Sequence, residues 1–118
     1  MLSTNILAVG EKLENDWHQL KLQEFARAAI GRFYYAAFVH LRGLAYSYGF
    51  NDSKERSVHT ELRDFLENLG YRDIAEDLAA LKELRNWADY DVLFSSDINT
   101  DLIYAKRTAA RLLAHSSL

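Results

Sequence analysis

The chain has 118 residues, a formal net charge of −3 at pH 7, and neither cysteine nor proline. This length fits a single domain, residues 1–118, with a core of adequate size. The lack of cysteine excludes disulfide bonds and thiolate zinc sites, and the mildly negative charge gives no general indication of nucleic-acid binding. The sequence contains no apolar run of about 18 residues and no signal-peptide pattern, so we expect a cytoplasmic protein that does not enter a membrane.

Five helices are predicted in chain order. The lack of proline and the abundance of strong helix formers favour helix throughout, with predicted spans of about 5–20, 22–48, 54–68, 72–89 and 97–115. The candidate caps are Ser3 or Thr4, Ser53 and Ser96 at N-termini, and Gly49 and Gly70 at C-termini. The short loops favour antiparallel neighbours, so the expected fold class is all-α, an antiparallel up-and-down bundle of about five helices.

The second helix carries an arginine inside a narrow stripe of small and apolar residues. The members of this stripe are Phe25, Ala29, Arg32, Ala36, Val39 and Gly43. Residues 32–39 are also apolar around nearly the whole circumference of the helix. Such a helix either lies at the centre of the bundle or has its second face covered by another subunit. For a domain this small we favour the second explanation, a homodimer.

The fourth helix places another arginine where an apolar residue is expected. Its stripe consists of Ile74, Leu78, Leu81, Arg85 and Ala88. An unpaired buried guanidinium would be very costly, so Arg85 must pair with a carboxylate, reach a cavity or face a partner molecule. Asp89, one turn further on, is the nearest candidate carboxylate. A structural Arg85–Asp89 pair and a functional site therefore both stay open.

The histidines do not indicate a metal site. His18, His40, His59 and His115 lie on four different segments, and no cysteine accompanies them. The sequence also contains no glycine-rich phosphate loop. We therefore expect no metal and no cofactor.

The remaining chemical candidates are Arg32, Arg85, Asp89 and Tyr90, together with His40 or His59. Arginine can hold and neutralise a phosphate, while a phenol or an imidazole can exchange protons. These groups would suffice for metal-independent cleavage of RNA, in which the 2′-hydroxyl is the nucleophile. The structural alternatives are hydrogen-bonded histidines at the two imidazole positions and a half-buried core aromatic at Tyr90.

Three parts of the sequence together resemble the HEPN superfamily: residues 27–38 (RAAIGRFYYAAF), His59, and residues 84–91 (LRNWADYD). Within it, the chain looks most like the small stand-alone HEPN proteins often paired with minimal nucleotidyltransferases, over about residues 10–115. This resemblance implies an antiparallel helical bundle that homodimerises. In ribonuclease members it also implies a cleft at the dimer interface, and it suggests a toxin–antitoxin or defence system.

The chain departs from the family at one position of its motif. Active family ribonucleases carry Arg, a polar residue such as Asn, and then His, with four to six residues between the Arg and the His. Arg85 and Asn86 match the first two, but the histidine position holds Tyr90, Asp91 and Val92.

The resulting Arg-x4-Tyr motif leaves two functions open. The first is a ribonuclease in which Arg85 holds the phosphate and Tyr90 or Asp89 assists. The second is a non-catalytic module that binds RNA, a nucleotide or a nucleotidyltransferase partner through the same cleft. The expected binding residues are Arg32, Asn86, His40 and His59.

Overall fold

The computed structural model of the protein describes residues 2–20, 23–54, 56–90 and 98–118. The five helices are α1 (Leu2–Leu20), α2 (Gln23–Tyr46), α3 (Val58–Asn68), α4 (Arg72–Tyr90) and α5 (Ile98–Leu113). Those four ranges contain no strand, so the predicted all-α helical bundle is confirmed. Over the same ranges, each helix is too short or too polar to cross a membrane.

Both glycines that were predicted to stop a helix do so. Gly49 has a φ of 93° and Gly70 a φ of 95°, the left-handed conformation that glycine adopts without steric cost. After α3, the backbone N–H groups of Gly70 and Tyr71 donate to the carbonyls of Glu67 and Leu66 at 3.0 and 2.9 Å. This pair of hydrogen bonds is the Schellman arrangement, which satisfies the last carbonyls of the helix.

The predicted start of α3 at residue 54, capped by Ser53, is wrong. Lys54 has a φ of 64°, which is incompatible with a right-handed helix, and its N–H donates to Asp52 Oδ1 at 2.9 Å. The helix begins after Ser57 instead. The backbone N–H of Ser53 donates to the carboxylate of Glu61 at 3.0 Å, so this serine fixes the loop against α3 rather than capping it.

At the other predicted N-termini, α1 begins at Leu2, which places Ser3 and Thr4 inside its first turn rather than at a cap. The predicted start of the fifth helix at Ser96 and Asp97 lies outside the described residues.

The second helix lies at the centre of the bundle and packs against α1, α3, α4 and α5. Most of the side chains that make residues 32–39 apolar on several sides are therefore covered within one chain, although Tyr35 is 37% exposed. Those that are at most 2% exposed are Phe33, Tyr34, Ala36, Ala37 and Phe38. The central position accounts for this composition, so the segment no longer requires a second subunit, and the homodimer stays a prediction.

The first helix approaches α2 closely at one glycine. A Cβ atom at Gly10 would lie 3.1 Å from the Phe33 ring and 3.3 Å from the Cβ of Arg32. Only a residue without a side chain fits there without displacing its neighbours. The backbone of α1 thereby covers the base of the Arg32 side chain, while the rest of that residue is exposed.

Candidate functional site

The arginine in the apolar stripe of α4 lies against an aromatic ring. Its neighbours along the stripe, at positions 74, 78, 81 and 88, are all at most 8% exposed, whereas Arg85 is half-buried. The Cζ atom of Arg85 lies 5.5 Å from the centroid of the Tyr34 ring. Because the face of an aromatic ring is electronegative, Tyr34 partly compensates the buried charge.

An open cleft between α2 and α4 contains both of the arginines that interrupt apolar stripes. It has a volume of about 390 Å³ and is lined by Ala28, Gly31, Arg32, Tyr35 and Arg85. The small side chains at positions 28 and 31 leave room beside the two cations. Tyr35 is 37% exposed at the same place. The described lining thus combines two guanidinium groups with an accessible ring and contains no carboxylate.

His59, on α3, contacts the hydroxyl end of the Tyr34 side chain. Its Nδ1 atom shares a hydrogen bond with the Tyr34 hydroxyl, and its ring centroid is 4.5 Å from that of Phe38. Burial lowers the pKa of His59 to about 4, and the positive charges of Lys82 and Arg85 act in the same direction. The imidazole is therefore neutral at pH 7.

The side chain of Tyr34 contacts both Arg85 of the cleft and His59. The Tyr34 side chain is fully buried, and burial raises its pKa well above the ordinary value despite the opposing effect of the Arg85 charge. Tyr34 consequently keeps its proton at neutral pH. It provides a surface and a hydrogen bond, and it cannot act as a base there.

The structure brings together only part of the predicted set of site residues. Arg32 and Arg85 line one cleft. His40 lies elsewhere, where its Nε2 donates to the carbonyl oxygen of His115 at 2.6 Å. Its hydrogen bond, like that of His59, is the one expected of a structural histidine.

The remaining predicted residues lie at the C-terminal end of α4. Asn86 is exposed next to Arg85 and does not line the cleft. Asp89 and Tyr90 belong to the last turn of α4, but their side chains lie outside the described part of the chain. The predicted pairing of Arg85 with Asp89 and the proton-transfer role of Tyr90 therefore stay predictions.

Sequence reasoning missed three residues around Arg85. Tyr34 and Tyr35 were treated as part of an apolar segment, although one supports the guanidinium and the other flanks the cleft. Lys82 also lies against the Tyr34 ring, with its Nζ atom 5.7 Å from the centroid. The sequence did indicate that Lys82 lies near Arg85, because residues three apart share a helix face.

No protein-family model, no curated protein and no solved structure matches this chain. Across the described ranges, no three His, Asp or Glu side chains are grouped so as to hold a metal ion. The described residues form a helical bundle with an arginine-lined cleft between α2 and α4.

Proposed function

We propose that the chain is an HEPN-type module that binds single-stranded RNA through the cleft between α2 and α4. The observation that carries this proposal is that Arg32 and Arg85 line the same cleft beside the exposed ring of Tyr35. Guanidinium groups bind phosphate oxygens in pairs, and aromatic side chains stack on bases whatever their sequence. A cleft with both features suits one or two nucleotides of an unpaired strand.

Binding is better supported than cleavage because the described lining of the cleft contains neither an imidazole nor a carboxylate. The imidazole of His59 is hydrogen-bonded to Tyr34, does not line the cleft, and has a pKa of about 4, too low for a general base at neutral pH. Tyr34 itself is buried and protonated.

A metal-independent ribonuclease is the second candidate. Its support is Arg85, which lines the cleft and stands where the resembled family carries its catalytic arginine. Asp89 or Tyr90 would then assist the proton transfers.

The family resemblance also supplies the proposed context. It supports a homodimer within a toxin–antitoxin or defence system, with a minimal nucleotidyltransferase as partner. The cleft is open to solvent, so a second copy could complete it. Light scattering at micromolar concentration should give about twice the chain mass of 13.6 kDa, and a clean monomer would contradict the dimer.

The binding proposal is tested most cleanly at Arg32, whose side chain is exposed and whose removal should leave the fold intact. We expect Arg32→Ala to weaken binding of a fluorescent single-stranded RNA about tenfold, since charge-assisted hydrogen bonds to phosphate are lost. The slope of log K against log salt should become shallower by about 0.7, the value for one phosphate contact with a single strand. The melting temperature serves as the check on folding.

Arg72→Ala is the matched control, because it removes the same charge from the same protein. Arg72 lies at the start of α4, about 20 Å along the helix axis from Arg85. If Arg72→Ala weakens binding as much as Arg32→Ala, the attraction is a general effect of charge and the cleft is not the site. Wild-type affinity in Arg32→Ala would contradict the proposal directly.

The ribonuclease candidate requires a separate assay. Purified dimer would be incubated with single-stranded RNA and with DNA of the same sequence in excess EDTA. Cleavage of RNA alone, lost in Arg85→Ala, would support the enzyme, because the internal nucleophile is a 2′-hydroxyl that DNA lacks. Intact RNA would leave the binding module as the function.

A further inference from the structure

A second, smaller cavity lies one helical turn from the arginine cleft. It has a volume of about 80 Å³ and is walled by α2, α3 and α4. Its polar lining residues are Tyr34, Ser57, His59, Thr60, Arg63 and Lys82, and its apolar wall is formed by Leu78 and Ala79. Two cations, an imidazole and three hydroxyl groups therefore converge on a space far smaller than the cleft.

The electrostatics of this cavity favour an anion. The charges of Lys82, Arg85 and Arg42 all oppose protonation of His59, so the region around the imidazole is positive. The lining of the cavity includes no carboxylate within the described residues. Ser57, which precedes α3, makes no capping hydrogen bond with its hydroxyl.

The size of the cavity restricts the anion to a small group. The neighbouring cleft of about 390 Å³ can hold a nucleotide, whereas about 80 Å³ holds only a group such as a phosphate. A phosphate monoester carries a charge of about −1.5 to −2 at pH 7 and three terminal oxygens that accept hydrogen bonds. Lys82, Arg63 and the hydroxyl groups of Ser57 and Thr60 are the donors that such a group requires.

We propose that this cavity binds the terminal phosphate of an RNA strand whose adjoining nucleotide occupies the arginine cleft. The inference rests on the proposed RNA-binding function and specifies its ligand as a strand with a phosphorylated end. Tyr34 connects the two sites, because Arg85 of the cleft and Lys82 of the cavity lie 5.5 and 5.7 Å from the centroid of its ring. One turn of α4 thus presents a cation to each site.

The test compares three RNAs of identical sequence, one with a 5′-phosphate, one with a 3′-phosphate and one with neither. We expect one phosphorylated end to bind about fivefold to tenfold more tightly than the unphosphorylated strand, as charge-assisted hydrogen bonds to a dianion require. Lys82→Met should abolish this preference because it removes the ammonium group while keeping an unbranched side chain of similar length. Arg63→Met, at a side chain that is 43% exposed, is the second variant and should reduce the preference without affecting folding.

Lys12→Met is the matched control, because Lys12 is a lysine of α1 with a 77% exposed side chain that lines neither site. The preference for a phosphorylated end should persist in this variant.

Equal binding of all three RNAs by the wild type, with binding still weakened by Arg32→Ala, would overturn the terminal-phosphate site and leave the proposed function standing. Adenosine monophosphate competing as well as the phosphorylated strand would also overturn the inference, since the cavity would then serve a free nucleotide. Failure of every RNA to bind would remove the proposed function itself.

Discussion

Phe33 and Tyr34 are consecutive residues of α2, and both are fully buried, yet they have opposite surroundings. The Phe33 ring faces α1, where Gly10 brings the two backbones close together. The Tyr34 ring faces α3 and α4 and contacts an imidazole, an ammonium and a guanidinium group. Successive residues of an α-helix point about 100° apart, so one central helix can fill an apolar core with one side chain and support a polar site with the next.

The difference shows that equal burial does not mean an equal role. Phe33 contributes the free energy of removing a large apolar surface from water. Tyr34 contributes the same kind of packing but also holds His59 by a hydrogen bond and supports two cations. Substitutions on the Phe33 side of α2 should therefore change mainly the free energy of unfolding, whereas those on the Tyr34 side should change its dependence on pH.

The largest expected effect is on the Phe33 side. Phe33→Ala should lower the free energy of unfolding by about 3–5 kcal/mol, because a buried ring is replaced by a cavity. Urea denaturation measures this loss, with Phe33→Leu as a milder variant that keeps most of the volume. A loss below about 1 kcal/mol would show that α1 collapses onto the vacated space and that the packing at Gly10 is less rigid than the structure implies.

A smaller effect is expected at two glycines, Gly10 at the contact between α1 and α2 and Gly43 at an exposed position of α2. Gly43→Ala should stabilise the protein by about 0.5–1 kcal/mol, because the new methyl group meets no atom within 4 Å and alanine favours the helix. Gly10→Ala gains the same propensity but forces a Cβ to 3.1 Å from the Phe33 ring. Its unfolding free energy should fall below that of Gly43→Ala by about 1 kcal/mol. Equal stabilisation by both changes would mean that α1 can shift freely.

The smallest expected effect is a pH dependence confined to the Tyr34 side. The folded-state pKa of His59 is about 4, below its ordinary value of 6.5, so the unfolded chain binds the proton more readily. The contribution of His59 to stability is therefore complete above pH 6.5 and is lost as the pH falls towards 4. Its size is limited because the half-exposed ring is screened by water.

Thermal unfolding between pH 7 and pH 4 would measure this dependence, and His59→Gln should flatten it relative to the wild type. An NMR titration of the imidazole would locate the pKa directly. A midpoint near 6.5 would show that the ring is neither desolvated nor surrounded by cations. The Tyr34 side of α2 would then lack the positively charged surroundings that distinguish it from the Phe33 side.

The periodicity of the sequence was sufficient to predict five helices, and its glycines to predict two of their ends. The start of α3 could not be predicted because it depends on a left-handed Lys54, a conformation that residue type alone disfavours. The Oδ1 atom of Asp52 accepts an Asx-type hydrogen bond from the backbone N–H of Lys54 and holds that residue in place. The apolar circumference of α2 had two explanations, a central position in the bundle and a second subunit. The packing of four helices around α2 shows the central position, and the second subunit stays a prediction.

The candidate site was predicted in outline only. The two arginines were identifiable because each interrupts an apolar stripe, which is unusual for a charged residue. The aromatic partner of Arg85 was not identifiable, because Tyr34 comes from a different helix and local spacing favoured Asp89. For the same reason, the order of residues could not show that His59 is hydrogen-bonded to Tyr34 and does not line the cleft.

The central position of α2 also has a consequence for how the protein opens. Amide hydrogens exchange with solvent when the segment that contains them detaches, either locally or with the whole fold. Helix α1 packs mainly on α2 and is tied to α5 by the Lys106–Glu14 ion pair at 2.6 Å, so it can separate while the other helices stay together. No such partial opening releases α2, because four neighbours hold it. The amides of α2 should be the slowest in the chain to exchange. The ratio of the α1 exchange rates to the α2 exchange rates would measure how independently α1 unfolds.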